Sequence, residues 1–118
     1  MVKTGRALSK DELVALLKSN VRKFNRVRPK EGLDLSGVFL PGLDLRGVNF
    51  SRTNLRKAVL TSADLRGANL DGADLTDANL VRAHFGGAKL SRANLTRTNR
   101  IAAYFGGATL TGVIGLER

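Results

Sequence analysis

The chain has 118 residues, no cysteine, a single histidine and a formal net charge of +10. That length fits one domain; the lack of cysteine excludes disulfides and thiolate metal sites, and one histidine is too few for a histidine-based metal cluster. No stretch is long and apolar enough for a transmembrane helix, and residues 1–20 lack a signal-peptide pattern, so a cytoplasmic location is the expectation.

Residues 1–8 carry little pattern, and a flexible start is expected there. Ser9-Lys10-Asp11-Glu12 then reads as a capping box, with the Ser9 hydroxyl at the cap and Glu12 reaching back. Leu13, Leu16, Leu17, Val21, Phe24 and Val27 follow at helical spacing, and Pro29 closes the segment. These signals predict one amphipathic helix over about 10–27, bent near Ser19-Asn20. Its polar side carries a basic face of Arg22, Lys23, Arg26, Arg28 and Lys30, expected to face water. Residues 1–32 hold nine basic and three acidic residues, so 9 − 3 = +6 of the charge precedes residue 33.

From residue 33 the period changes. Leu or Phe stands at every fifth position: Leu35, Leu40, Leu45, Phe50, Leu55, Leu60, Leu65, Leu70, Leu75, Leu80, Phe85, Leu90 and Leu95. Arg100 interrupts the series, which resumes at Phe105 and Leu110. A second ladder runs two residues ahead, through Leu33, Val38, Leu43, Val48 and Thr53, then mostly alanine from Ala58 to Ala108. A period of five matches neither a helix nor a simple strand. It rotates the Leu positions around any α-helix, and it puts glycine at unit ends such as Gly67 and Gly72, where turns need it. Only a chain that coils as a solenoid sends every fifth side chain inward.

Each unit reads small residue, Asp or Asn, Leu or Phe, polar residue, then often Gly, as in Ala63-Asp64-Leu65-Arg66-Gly67 and Ala68-Asn69-Leu70-Asp71-Gly72. This pattern resembles the pentapeptide-repeat family. The resemblance implies an all-β solenoid, a right-handed four-sided parallel β-helix of about four coils, in which residue n stacks on residue n+20. Sixteen repeats would then occupy 33–112, after a flexible start and capping helix in 1–32 and before a tail in 113–118. Phe24-Asn25-Arg26-Val27-Arg28 resembles the stretch that precedes the first repeat in the family. The helix is accordingly expected to cover the first coil, whose open end would otherwise leave strand backbone unpaired; binding by the same helix is an additional reading.

Columns of twenty divide the outer surface. Asp34, Asn54, Asp74 and Asn94 predict a hydrogen-bonded ladder between coils. Asp44 and Asp64 precede Arg46 and Arg66 by two, which predicts surface ion pairs. In the same column His84 and Tyr104 sit in near-identical units, Ala83-His84-Phe85-Gly86-Gly87 and Ala103-Tyr104-Phe105-Gly106-Gly107. They are expected to stack beside a strip without side chains, a candidate seat for a flat ligand or partner. Phe39, Val59, Val81 and Ile101, with Pro41, predict an outward apolar stripe that meets either a partner or the N-terminal helix. At Arg100 either the chain bulges and Ile101 swings inward, or the side chain escapes toward the open end.

No catalytic constellation, phosphate-binding loop or cofactor motif is present, so no enzyme activity and no cofactor are expected. The leading reading is a protein-interaction module or scaffold. The second is electrostatic binding to nucleic acid or an anionic membrane. The resemblance adds a third, a DNA mimic acting on a DNA topoisomerase, but such members are long acidic rods and this chain is short and basic. Val113, Ile114 and Leu116 are too few for a covering helix, so the last coil predicts a weak homodimer through about 98–116, or a small plug over the coil end.

Overall fold

The computed structural model describes residues 7–116. Of the flexible start expected for residues 1–8, residues 1–6 lie outside the described residues, while Leu8 packs against the core.

The helical segment forms, but as two helices, α1 (Lys10–Ser19) and α2 (Val21–Val27). The capping box is present at Ser9: its hydroxyl accepts from Glu12 N–H at 3.1 Å, and its own N–H donates to the Glu12 carboxylate at 2.9 Å. The expected bend is a full break at Asn20, whose backbone (φ −157°, ψ 83°) is not helical. Asn20 closes α1 by donating its N–H to the Leu16 carbonyl at 2.6 Å, and opens α2 by accepting from Lys23 N–H at 2.9 Å. A short polar side chain that can cap both ways favours this break over a continuous helix.

Beyond Leu33 the backbone runs as a four-sided parallel β-helix. Single-residue parallel bridges join Asp34 to Asn54, Phe39 to Val59, Asp44 to Asp64 and Asn49 to Asn69, and continue twenty residues apart up to Asn94 and Ile114. The n+20 register is therefore correct, and the ladder runs one rung past residue 112. Each bridge sits mid-side, with a turn at each corner closed by bonds such as Ala63 N–H to the Leu60 carbonyl at 3.1 Å. The second corner residue takes a positive φ. Gly67 (φ 67°) fits this without a Cβ penalty, but Arg52, Lys57, Arg82, Arg92 and Arg97 adopt it as well, at a cost of order 1–2 kcal/mol each.

The interior is filled as the two ladders require. Leu35 through Leu95 at every fifth position are fully buried, with the small residues of the second ladder between them. Phe85 and Phe105 stack in adjacent coils at 4.8 Å with parallel planes. Two ladder positions depart from the expected core. Phe105 is half-buried and Leu110 is 38% exposed, because no described coil lies over them.

The first coil is covered by the helices. Phe24 is fully buried and meets Phe50 edge-on, at 5.8 Å and 82°. Asn25 extends the ladder with its side chain: its amide donates to the Gly47 carbonyl at 3.0 Å, and its oxygen accepts from Asn49 N–H at 2.8 Å. Lys10 donates to the Ser36 carbonyl at 2.5 Å. The cap thus supplies hydrogen-bond partners to a strand edge that an apolar helix face would leave unsatisfied.

Candidate functional site

The four sides differ in what they point outward. On the first side, Asp34, Asn54, Asp74 and Asn94 do not form the expected side-chain ladder between coils. Each carboxylate or amide oxygen accepts instead the N–H two residues ahead, as Asp34 does from Ser36 at 2.9 Å and Asn54 from Arg56 at 3.0 Å. The corner N–H is nearer than the next rung and would otherwise lack an acceptor, so the local turn wins. This explains the Asp or Asn that most units carry at this position. It also explains why Phe39, which cannot accept, is followed at the corner by Pro41, which has no N–H to give.

On the third side the expected ion pairs are present. Arg46 grips Asp44 through Nε at 2.8 Å and Nη2 at 2.7 Å, and Arg66 grips Asp64 at 2.9 and 2.6 Å. The Arg46 guanidinium and N–H hold Asp44 down at about 2, below the ordinary 3.8. Arg66 lowers Asp64, and Arg97 lowers Asp77, in the same way. These carboxylates titrate lower in the folded chain than in the unfolded one. Their stabilisation is complete above about pH 4 and is lost as pH falls through the lowered values, about 2 for Asp44. The thermal midpoint is therefore expected to drop through that window, and the double variant Asp44→Asn/Asp64→Asn to show a shallower drop. Melts followed by circular dichroism between pH 5 and 2 check this.

His84 and Tyr104 stack one coil apart at 4.9 Å, with planes tilted by 58°. The strip beside them is not bare. His84 Nδ1 accepts the Gly86 N–H at 3.1 Å, so the imidazole replaces the usual Asp or Asn. A Cβ at Gly86 would lie 2.7 Å from the His84 ring, and one at Gly106 would lie 2.1 Å from the Tyr104 hydroxyl. The glycines are seats for the two rings, which cover the strip expected to receive a ligand.

The second side carries the apolar stripe. Phe39 is 67% and Ile101 69% exposed, with Val59 and Val81 half-buried between them and Pro41 exposed. The helices lie on the end of the first coil and leave Phe39 uncovered. No other side presents aliphatic side chains at these outward positions in its first four rungs.

Arg100 does not force a bulge. Ile101 stays outside, and Ala103 N–H bonds the Arg100 carbonyl at 3.0 Å as Ala83 N–H bonds Leu80. Arg100 keeps the inward slot, half-buried, and donates to the Thr98 hydroxyl at 2.7 Å. Val113 and Ile114 do not fold over the coil end as a plug; Ile114 bonds Ala93 and Leu95 and extends the first side.

The basic face needs one correction. Arg22, Lys23, Arg26 and Lys30 are exposed as expected, but Arg28 is 8% exposed. Its guanidinium turns under the helix and donates to the carbonyls of Pro29 and Asn49 at 2.9 and 2.8 Å, with Thr53 at 3.4 Å. Desolvation, and then the nearby Arg52 charge, lower its pKa. The cations at corners, Arg52, Arg82 and Arg92, stand out only in the folded chain. Their signal was a long basic residue at a position where other units have glycine.

A model of the pentapeptide repeats matches in overlapping stretches over residues 31–61, 40–77, 58–97 and 78–114. Among solved structures, the chain is similar to a pentapeptide repeat protein of the Arabidopsis thaliana thylakoid lumen, at 33% identity and a TM-score of 0.59, covering 75% of this chain and 64% of that one. It is similar to a pentapeptide repeat protein of Nostoc PCC 7120, at 30% identity and a TM-score of 0.54, covering 65% and 84%. A third, from the cyanobacterium Cyanothece 51142, has 28% identity and a TM-score of 0.52, covering 77% and 67%. No curated protein sequence matches the chain. No helix of the described residues is long and apolar enough to cross a membrane. Period, register and these matches agree: the chain is a right-handed four-sided β-helix and belongs to the pentapeptide repeat family.

Proposed function

We propose that the chain is a non-catalytic interaction module that binds a protein partner through its second side. The observation that supports this is the stripe of Phe39, Val59, Val81 and Ile101, with both ends well exposed, on a surface whose other sides present no aliphatic side chain outward in their first four rungs. An apolar stripe framed by polar residues, on rigid backbone, offers area at little ordering cost. The double variant Phe39→Ser/Ile101→Ser keeps the fold, because both side chains are mostly exposed, and is expected to lose the partner captured by the tagged wild-type chain. His84→Ala/Tyr104→Ala is the comparison on a different side. Equal capture by the stripe variant and the wild type overturns the reading.

A second reading is electrostatic binding to nucleic acid or an anionic membrane. It is favoured by the pairing pattern. Asp44, Asp64, Asp74 and Asp77 are taken up by arginines, whereas Arg52, Arg82 and Arg92 make no ion pair among the described residues. Binding to DNA, RNA or anionic vesicles that weakens steeply with salt would mark it. A DNA mimic needs an uncompensated row of carboxylates, and these carboxylates are compensated.

A further inference from the structure

Where α2 meets the first coil there is an open cleft of about 240 Å³, lined by Asn25, Arg26, Arg28, Lys30, Asn49, Ser51 and Arg52. Four of these residues are cations and none is acidic. Glu31, next to Lys30 in the chain, does not line it. Among the described residues none of the four makes an ion pair, although most carboxylates of the β-helix sit in one. Arg28 is the buried member, and its hydrogen-bond partners are neutral: two carbonyls, an amide oxygen and a hydroxyl. Arg52 comes from the last corner of the first coil and reaches back to the Lys30 carbonyl at 3.5 Å. A buried guanidinium beside a second guanidinium, with no carboxylate to neutralise either, is a costly arrangement for a surface with room to spread its charges.

We propose that this cleft binds a phosphate group, as a terminal monoester or as inorganic phosphate. The geometry favours a phosphate over a simple carboxylate. Cations converge on one cleft from the helix end, the linker and the first coil, which suits an anion with several acceptor oxygens. Asn25, Asn49 and Ser51 add neutral polar groups to the same wall. A terminal dianion matches converging cations better than one internal diester of a nucleic-acid backbone, which carries a single charge and is read best by cations set in a row. The cleft lies away from the apolar stripe, so the proposal stands independently of the partner surface above.

The test uses the full chain and titrates inorganic phosphate and phenyl phosphate, followed by amide chemical shifts and calorimetry. Saturable shifts at Asn25, Asn49 and Ser51 are the expected result. Arg52→Gln and Lys30→Gln should each weaken binding about tenfold, the size of one lost charge-assisted bond. Arg92→Gln removes the same charge from a corner outside the cleft and should change affinity less than twofold. Matched thermal melts confirm that the variants fold. Parallel arms use a short DNA duplex and vesicles with phosphatidylserine. Tighter binding to either than to the monoesters, with the same variants indifferent, would overturn the proposal. So would the absence of saturable shifts at millimolar phosphate, or an equal loss in Arg92→Gln, which would mean general charge screening.

Discussion

Phe24→Ala is expected to lower the thermal midpoint by about 10–20 °C, since truncating a fully buried phenylalanine costs roughly 3–5 kcal/mol in a domain of this size. Phe24 is the one aromatic side chain that the helices insert against the first coil, where it meets the Phe50 ring edge-on. Its loss removes more than volume. Asn25 and Arg28, on either side of the turn it anchors, hydrogen-bond the Gly47 and Asn49 backbone, so a shift of α2 would loosen these contacts as well. Hydrogen exchange is therefore expected to speed up most in the first coil, near Asp34, Phe39, Asp44 and Asn49, and least around Leu70 to Leu90. Neighbour-to-neighbour stacking is the reason, since a solenoid frays from an end whose cap has loosened. Phe24→Leu, which keeps most of the volume, should cost about 1.5 kcal/mol or less. An unchanged midpoint in Phe24→Ala, or loss of protection spread evenly over all coils, would show that the helices do not anchor the solenoid.

Arg100→Leu is expected to act in the opposite direction at the other end. The inward slot holds a half-buried guanidinium bonded to Thr98, where the coils below hold Leu40, Leu60 and Leu80. Leucine there would stack on Leu80 and remove a desolvated charge, for a gain of about 1–2 kcal/mol. It would also make the end of the last coil more uniformly apolar, next to Phe105, Leu110 and Leu116. In a tail-to-tail pair of wild-type chains two Arg100 side chains would approach each other. An inward charge at a sheet edge is a known way to discourage edge pairing. The variant is thus expected to self-associate at least about tenfold more tightly than the wild type, a difference of one like-charge contact. Sedimentation across a concentration series measures this, and equal association of the two chains would show that Arg100 does not guard the end.

The two threonines of the inner ladder show how much of this was legible. The small-residue series is alanine from Ala58 to Ala93, and its neighbours at each end are Thr53 and Thr98. As letters they are minor departures. In three dimensions each hydroxyl receives an arginine: Thr53 meets Arg28 at 3.4 Å, and Thr98 meets Arg100 at 2.7 Å. The Thr98–Arg100 pair lies two apart and was open to a reading of departures together. Thr53 and Arg28 are linked only by the path of the chain from α2 into the coil. The same holds for the phosphate cleft, where Arg52 is a corner residue of one coil and Lys30 precedes the first. The Asp–Arg pairs of the third side were legible because both partners belong to one five-residue unit.

By itself the sequence determined the period, and the period required a solenoid. A five-residue repeat of small and large apolar side chains requires a solenoid; the four sides and the register of twenty came from the resemblance to the pentapeptide repeats, and the bridges twenty residues apart carry them. The solenoid itself follows from local spacing alone. The tertiary structure decided what depends on the height of the cap and on competition between nearby hydrogen-bond partners. It split the helix at Asn20, took Arg28 out of the basic face, turned the Asp and Asn columns into local turns, and folded the His84 and Tyr104 rings over Gly86 and Gly106. In each case several partners were available along the chain, and distance in the folded coil selected among them.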